Sequence, residues 1–348
     1  MRVLRAAAGL IAFLCAVEAV FFTFGVISMH KGNKYLLYDL ERLRSEIKAN
    51  LEGERNGSIT GWPTAGEFPI RPHPSLDLSV CGSAWGGSFT YSDDVSDAEA
   101  WPHLLSVALR CQVDNRGVDG FGLDQTLLHY KEHVGKERFV IVGLVEPMIT
   151  VDQISSWTFI SLGPDKQPRA NVTKPFFSFD GDRPQLIPRP PADLAAIERH
   201  YAKDPSSKDW NVFEFPHSLS VSRAIYRKFT RPLFSDSGPG TPTQRRHTAL
   251  LIAEMARLAQ DRGQNFVLLI IPRPEDVLDP HPWFRDILGG VPNPISGLCS
   301  IDPTDELRTL ALNQPNEVMT KSGHYSAAGN KAIAAAAARG LRACGLAS

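Results

Sequence analysis

The chain has 348 residues, 43% hydrophobic and 22% charged, an ordinary globular composition with length enough for one large domain or two small ones. Its 37 basic and 38 acidic side chains leave a formal charge of −1, which excludes the strongly basic footprint of a nucleic-acid binder. No Cys or His spacing matches a metal site, and no Gly-rich phosphate loop or internal repeat occurs, so neither metal nor cofactor is expected.

Residues 1–30 carry a different signal. Arg2 and Arg5 precede an apolar run from Ala6 to Met29 whose one charge is Glu18. About 20 apolar residues cross a bilayer, whereas a cleaved signal has a core of roughly 7–15 and a small-residue cleavage site. No such site precedes His30. The reading is a single-pass transmembrane anchor in the inner (cytoplasmic) membrane, with the flanking arginines inside and the rest of the chain facing the periplasm or the outside. Glu18 is at odds with it, because a carboxylate at mid-bilayer costs about 2.5–3.5 kcal/mol on insertion scales. Protonation or pairing with a second chain would relieve that cost. A buried globular helix is the alternative, disfavoured because such helices are rarely apolar all round.

Leu36, Leu40, Leu43, Ile47 and Leu51 recur at helical spacing in the next segment, 31–75. This stripe fits a stalk, the seam of a homodimer, or a helix packed on its own domain. A Gly-, Pro- and Ser-rich linker follows, and a globular domain is expected from Leu76 to the end, 76–348.

Within that domain strand-like runs alternate with amphipathic stretches. Strands are expected at 80–85, 111–115, 138–144 and 266–272, and helices over Asp97–Leu109, Leu123–Val134, Thr243–Arg262 and Ala327–Leu341. That order predicts an α/β fold, a parallel sheet flanked by helices in three layers, with ligands at the carboxyl ends of the strands. Val151–Gly240 breaks the rhythm and is rich in proline; it reads as a long insertion, a lid or substrate-facing subdomain.

Three blocks then meet a family pattern: "GGSFTYSDDVSDAEAWPHLL", "VDNRGVDGFGLDQTLL" and "SGHYSAAGNKAIA". In order and rough spacing they resemble the blocks of the SGNH (GDSL-type) hydrolases, most closely members tethered to the bacterial membrane and associated with surface polysaccharides. The resemblance covers residues 79–341 apart from the insertion. It implies Ser88 as nucleophile, His324 as base, and Gly120 at the glycine of the oxyanion hole.

The chemistry of these residue types agrees. A serine hydroxyl needs an imidazole within hydrogen-bond reach to take its proton, and the developing oxyanion needs fixed donors. The backbone N–H groups of Ser88 and Gly120 would supply them, glycine allowing close approach of the carbonyl. Thr90 stands where the second glycine of a Gly-x-Ser-x-Gly elbow would be, so the nucleophile is expected on a flatter, more open loop. Read alone, Ser88 is a turn residue after a strand, and the His324-Tyr325-Ser326 run is a helix-capping arrangement.

The chain departs from the family at three positions. Gly87 replaces the aspartate before the serine. Glu146 and Pro147 fall where the third block would supply an asparagine to the oxyanion hole. Lys321 stands three residues before His324, where the orienting acid belongs; the acid is left unknown, with Asp302, Asp305 and Glu317 as candidates alongside a bare Ser-His dyad. Asp119, Asp124 and Gln125 are placed near the cleft or at the start of a helix, and Asn115 reads as a structural partner.

Five cysteines complete the pattern. Cys15 lies in the apolar run, and the other four allow three pairings. Cys81 and Cys111 open two strands expected to be neighbours, which favours that bond and leaves Cys299 with Cys344; four buried thiols are the alternative. The functional expectation is a serine esterase or O-acyl transferase acting on acyl (acetyl) esters of carbohydrate, the membrane being its other partner. The competing class is a catalytically disabled binding or scaffold protein of the same fold.

Overall fold

The computed structural model describes residues 2–30, 71–151, 171–203, 212–234, 241–278 and 298–347 apart from positions 73, 75, 134 and 147, together with 156–158 and isolated positions among 37–52 and at 287. The leucine and isoleucine positions of the apolar stripe Leu36–Leu51 and most of the linker after it lie outside the described residues, as does Pro147. The chain divides into two compact units. One comprises Met1–Asn56, Ser155–Lys174 and Arg189–Ser237; the other comprises Gly57–Ile154, Pro175–Pro188 and Gly238–Ser348.

In chain order the main elements are α1 (Arg2–His30), β1 (Val80–Gly86), α2 (Trp101–Leu109), β2 (Gln112–Gly117), α3 (Leu123–Glu132), β3 (Phe139–Val145), β4 (Ser156–Thr158), β5 (Asn171–Thr173), β6 (Phe176–Asp180), β7 (Arg183–Ile187), α4 (Leu194–Lys203), α5 (His217–Phe234), α6 (Pro242–Asp261), β8 (Asn265–Ile271), β9 (Cys299–Ile301), α7 (Thr304–Asn313) and α8 (Ala327–Ala343).

The larger unit is built on a five-stranded sheet of order β2-β1-β3-β8-β9, every neighbouring pair parallel. Its central strands β3 and β8 are almost continuously apolar because both faces are covered. Val140, Val142 and Leu144 of β3 and Leu268 and Ile270 of β8 face α3 and α6, sharing a core with Leu123, Leu127, Ile252 and Met255. Phe139, Ile141, Val267, Leu269 and Ile271 point the other way, into a core with Trp101 and Leu105 of α2, Leu307 of α7, and Ile333 and Leu341 of α8. The two-residue alternation thus feeds two cores, and each such buried side chain stabilises the fold by about 1.5–3 kcal/mol. The expected parallel three-layer α/β arrangement is what the unit shows.

The chain leaves β1 to form β2 on one side and later returns to place β3 on the other. The order therefore reverses at β1, the point where open α/β sheets form a crevice at their carboxyl ends. The expected strands and helices form with small shifts. The helix expected over Asp97–Leu109 is a 3₁₀ turn, Asp97–Glu99, followed by α2, because Ala100 is extended and Pro102 starts a new helix. The sequence reading contained neither β9, three residues long, nor α7.

Both favoured disulfides are present. Cys81–Cys111 has its Cα atoms 5.7 Å apart and Cys299–Cys344 has them 5.9 Å apart, inside the roughly 7 Å limit for bridging. Cys15 is the one free cysteine among the described residues.

The Pro-rich segment 151–240 is shared between the units rather than forming one body. Its antiparallel ribbon β6–β7 belongs to the larger unit, with Phe177 in the α3–α6 core and the Phe179 ring stacked on His247 of α6 at 3.9 Å. The remainder, including the ribbon β4–β5 with α4 and α5, belongs with α1.

Candidate active site

β1 ends at Gly86, and the chain turns at once into a single helical turn, Ser88–Tyr91. Ser88, expected on an open loop, instead begins this turn, because the N–H groups of Thr90 and Tyr91 both donate to the Gly87 carbonyl at 3.0 Å. Buried Thr90 locks the turn to the strand, its hydroxyl donating to the Trp85 carbonyl at 3.4 Å. Past the turn, Ser92 and Asp94 take left-handed backbone, φ 66° and 69°, and the chain doubles back. The Ser92 and Asp93 N–H groups donate to the Ser88 carbonyl at 2.7 and 3.2 Å.

Two side chains brace this reversal. Asn115 of β2 donates through Nδ2 to the Tyr91 carbonyl at 3.1 Å and accepts from the Gly117 N–H at 3.0 Å, confirming its structural reading. Gly117 has to be glycine, since a Cβ there would overlap the backbone of Tyr91. Arg71 is the second brace, and the sequence reading assigned it to the linker. Its buried guanidinium donates to the Ser92 carbonyl at 2.6 Å, to the Val95 carbonyl at 2.5 Å and to the Tyr91 carbonyl, and pairs with Asp97 at 2.7 Å. A buried arginine making four such bonds fixes the backbone on which Ser88 and Asp94 ride.

The second edge of the site follows β2. The Val118 N–H donates to the Gly86 carbonyl at 2.9 Å and the Phe121 N–H to Val118 at 3.2 Å, closing a turn at whose tip Gly120 has φ 72°. Its N–H has no acceptor among the described residues. Asp124 and Gln125 are helix-start residues. Asp124 accepts from the Gln125 N–H at 2.9 Å, and Gln125 accepts from the Gly122 N–H at 3.1 Å. Asp119 stays with the site, hydrogen-bonded to Asp93.

His324 enters from the far end of the chain on a tight turn, the Thr320 N–H donating to its carbonyl at 2.8 Å and Gly323 taking φ 97°. Ser326 caps α8, accepting from the Gly329 N–H at 3.2 Å, so the capping role expected of this run belongs to Ser326 and leaves the imidazole free of it. The His324 ring packs on Phe89, next in the chain to Ser88, with centroids 5.0 Å apart. Its Nδ1 lies 3.2 Å from Oδ2 of Asp94, an oxygen that also accepts from Thr320 Oγ1 at 2.8 Å and from Ser322 Oγ. A carboxylate only accepts, so Nδ1 carries the proton and Nε2 is left as the basic nitrogen. Ser88, half-exposed, makes no side-chain hydrogen bond among the described residues.

The carboxylate that faces the His324 imidazole therefore comes from the serine's own segment. Asp302 instead accepts from the N–H and hydroxyl of Thr304, Asp305 pairs with Arg308 at 3.2 Å, and Glu317 meets Ser326 through its carbonyl. Lys321 is exposed. Glu146, at the position of the third-block asparagine, is ion-paired with Arg273, which also holds Asp276 at 3.1 Å.

Burial pushes the Asp93 carboxyl up to about 6, and the adjacent Asp119, which shares a hydrogen bond with it, adds to the rise; the positive potential of His324 opposes it.

No protein-family model matches the sequence, and no curated protein matches it. Several solved structures are similar in outline. A G-D-S-L family protein from Desulfitobacterium hafniense DCB-2 is 13% identical with a TM-score of 0.36, covering 76% of this chain and all of its own. LAE5, an alpha/beta hydrolase enzyme from the metagenome of Lake Arreo, is 14% identical with a TM-score of 0.39, covering 78% of this chain and 99% of its own. TesA is 12% identical with a TM-score of 0.41, covering 76% and 99%.

Proposed function

We propose that the larger unit is a serine enzyme that forms an acyl-enzyme on Ser88, with His324 as general base and then general acid, and Asp94 as the group that orients the imidazole. The N–H groups of Ser88 and Gly120 are the oxyanion donors. The observation that carries this reading is the contact of His324 Nδ1 with Asp94, which leaves Nε2 as the basic nitrogen of an imidazole packed on Phe89, the residue after Ser88. The three sequence blocks that resemble SGNH hydrolases support it. They are also the ground for the substrate class, an acyl (acetyl) ester of carbohydrate, either hydrolysed or used as acyl donor to a sugar hydroxyl. Water and a hydroxyl compete for one acyl-enzyme, so both outcomes share these residues.

We place this enzyme outside the cytoplasmic membrane on a single span formed by α1. Residues Arg5–Met29 are long and apolar enough to cross a bilayer, and the two disulfides suit an oxidising compartment. Protease added to intact spheroplasts should digest the domain; full protection would overturn the placement.

A second reading, a disabled scaffold of the same fold, is favoured by Glu146, whose pairing with Arg273 replaces an expected oxyanion donor. A fluorophosphonate probe separates the two. Labelling of the wild type that is lost in Ser88→Ala and in His324→Ala, with thermal stability nearly unchanged, supports the enzyme. Absence of labelling in folded wild-type protein supports the scaffold.

A further inference from the structure

We infer that α5 is a second membrane element, its amino-terminal half embedded beside the carboxyl-terminal half of α1 and presenting Phe215 and Leu219 to lipid acyl chains. The inference rests on α1 being the membrane span.

The depth of α5 is set by Glu18. Its Oε2 accepts from the His217 N–H at 2.6 Å, and its Oε1 accepts from the Ser218 N–H at 3.2 Å and from the Ser218 hydroxyl. Glu18 lies one residue past Val17, the midpoint of Arg5–Met29, so the start of α5 shares the depth of mid-span. The first N–H groups of a helix have no partner within it, and in hydrocarbon no water replaces one. A carboxylate there is also favoured by the helix dipole. Carboxylate and helix start each remove the other's cost, and no second chain is needed to neutralise Glu18.

The covering of α1 begins at the same level. Leu10, Ile11, Phe13 and Leu14 are 52–64% exposed. From Val17 onward a helical stripe of Val17, Glu18, Phe21, Gly25, Ser28 and Met29 is shielded. Phe21 and Met29 pack with Leu37 and with Val221, Ala224 and Ile225 of α5, so the helix runs along the later half of α1. Gly25 admits the Phe213 ring where any Cβ would overlap it, the use of a small residue that close contacts in membranes make.

On the side of α5 turned away from α1, apolar residues are exposed, with Ser222 and Arg223 between them. Leu219 is 60% exposed and Phe229 68%, and Phe215, two residues before the helix, is 74% exposed; Tyr226 is 65% exposed. An apolar face of this kind is unusual in water and ordinary in a bilayer. The span from Glu18 to Met29 is about 16 Å at 1.5 Å per residue, roughly one leaflet of a 30 Å hydrocarbon core. Tyr226 falls near its upper end, the level at which aromatic rings with a polar tip settle. Arg223 is paired with Glu214 at 3.6 Å, so each of these two charges has an opposite partner.

The test places an environment-sensitive nitrobenzoxadiazole label on Leu219→Cys in full-length Cys15→Ser protein reconstituted in phosphatidylcholine vesicles. Leu10→Cys on α1 and Leu312→Cys on α7 serve as references. The expected result is a blue-shifted Leu219→Cys signal lost to lipids carrying doxyl groups on their acyl chains and untouched by aqueous iodide, as for Leu10→Cys, with the reverse at Leu312→Cys. Loss to iodide at Leu219→Cys while Leu10→Cys responds to doxyl lipid overturns the inference and leaves the span intact. Loss to iodide at Leu10→Cys overturns the span reading, and the inference with it. A Leu219→Cys signal insensitive to both quenchers means that a protein surface covers this face, which also overturns it.

Discussion

Asp94 and His324 lie 230 residues apart in the chain and 3.2 Å apart in the fold, the carboxylate facing Nδ1 of the imidazole and held there by Thr320 and Ser322. On the proposed mechanism this contact fixes which nitrogen can accept the Ser88 proton. Asp94→Asn should lower the rate of fluorophosphonate labelling and of acetyl-ester turnover by roughly 10⁴-fold, the loss seen when a serine protease loses its orienting carboxylate. Asp94→Glu should restore part of the rate. Unchanged kinetics in Asp94→Asn would remove Asp94 from the mechanism.

Asp93, its neighbour, is expected to act on stability instead. Its carboxyl rises from 3.8 to about 6 in the fold, so between those pH values the folded chain holds a proton that the unfolded chain releases. The stability that this proton contributes is complete below 3.8 and lost as pH rises through 6. Asp93→Asn, which needs no proton, should therefore raise the melting temperature relative to wild type at pH 8, and the gain should disappear by pH 4. A gain that grows as the pH falls would contradict the assignment.

Arg71 tests whether the bracing of the serine loop matters to chemistry. Arg71→Ala leaves the Ser92 and Val95 carbonyls without this donor and the Tyr91 carbonyl with Asn115 alone. It should slow labelling of Ser88 and speed amide hydrogen exchange over residues 88–97 while exchange in β3 and β8 stays protected. Uniform loss of protection would mean a global role.

Glu146 answers to the third block. Glu146→Asn supplies the residue type that the third block of SGNH hydrolases carries but breaks the pair with Arg273, so it should cost about 1–3 kcal/mol in urea unfolding. Increased turnover at that cost would show that the position still points into the oxyanion hole.

The disulfides predict a redox dependence. Replacing Cys81 and Cys111 together by serine should cost about 2–4 kcal/mol of unfolding free energy, as expected for a loop whose ends are 30 residues apart. A melting temperature unchanged by the double substitution would contradict it.

The sheet and its two cores were legible because long apolar runs such as Phe139–Val145 leave few alternatives. The Cys81–Cys111 bond followed from strand adjacency alone. What stayed hidden depended on local backbone or distant pairing. Asp94 reaches His324 through left-handed residues at Ser92 and Asp94, neither of them glycine, so nothing in the composition marks the reversal. β9 is three residues long and owes its place to pairing with β8. Arg71 looked like linker because its four partners follow it by at least 20 residues. Glu18 looked like a flaw because the helix it caps begins 199 residues later.

Both cystines lie at the rim opposite the candidate site. Cys81 is near the start of β1 and Cys299 opens β9, while Cys344 follows the last turn of α8, the helix whose first turn follows His324. The domain is thus riveted at its base and only laced at its mouth, where arginine forks, a threonine hydroxyl and one imidazole–carboxylate contact do the fastening. On the proposed function, mild heating should open the laced side before the riveted one, read as earlier amide exchange over residues 88–97 than at the two cystines.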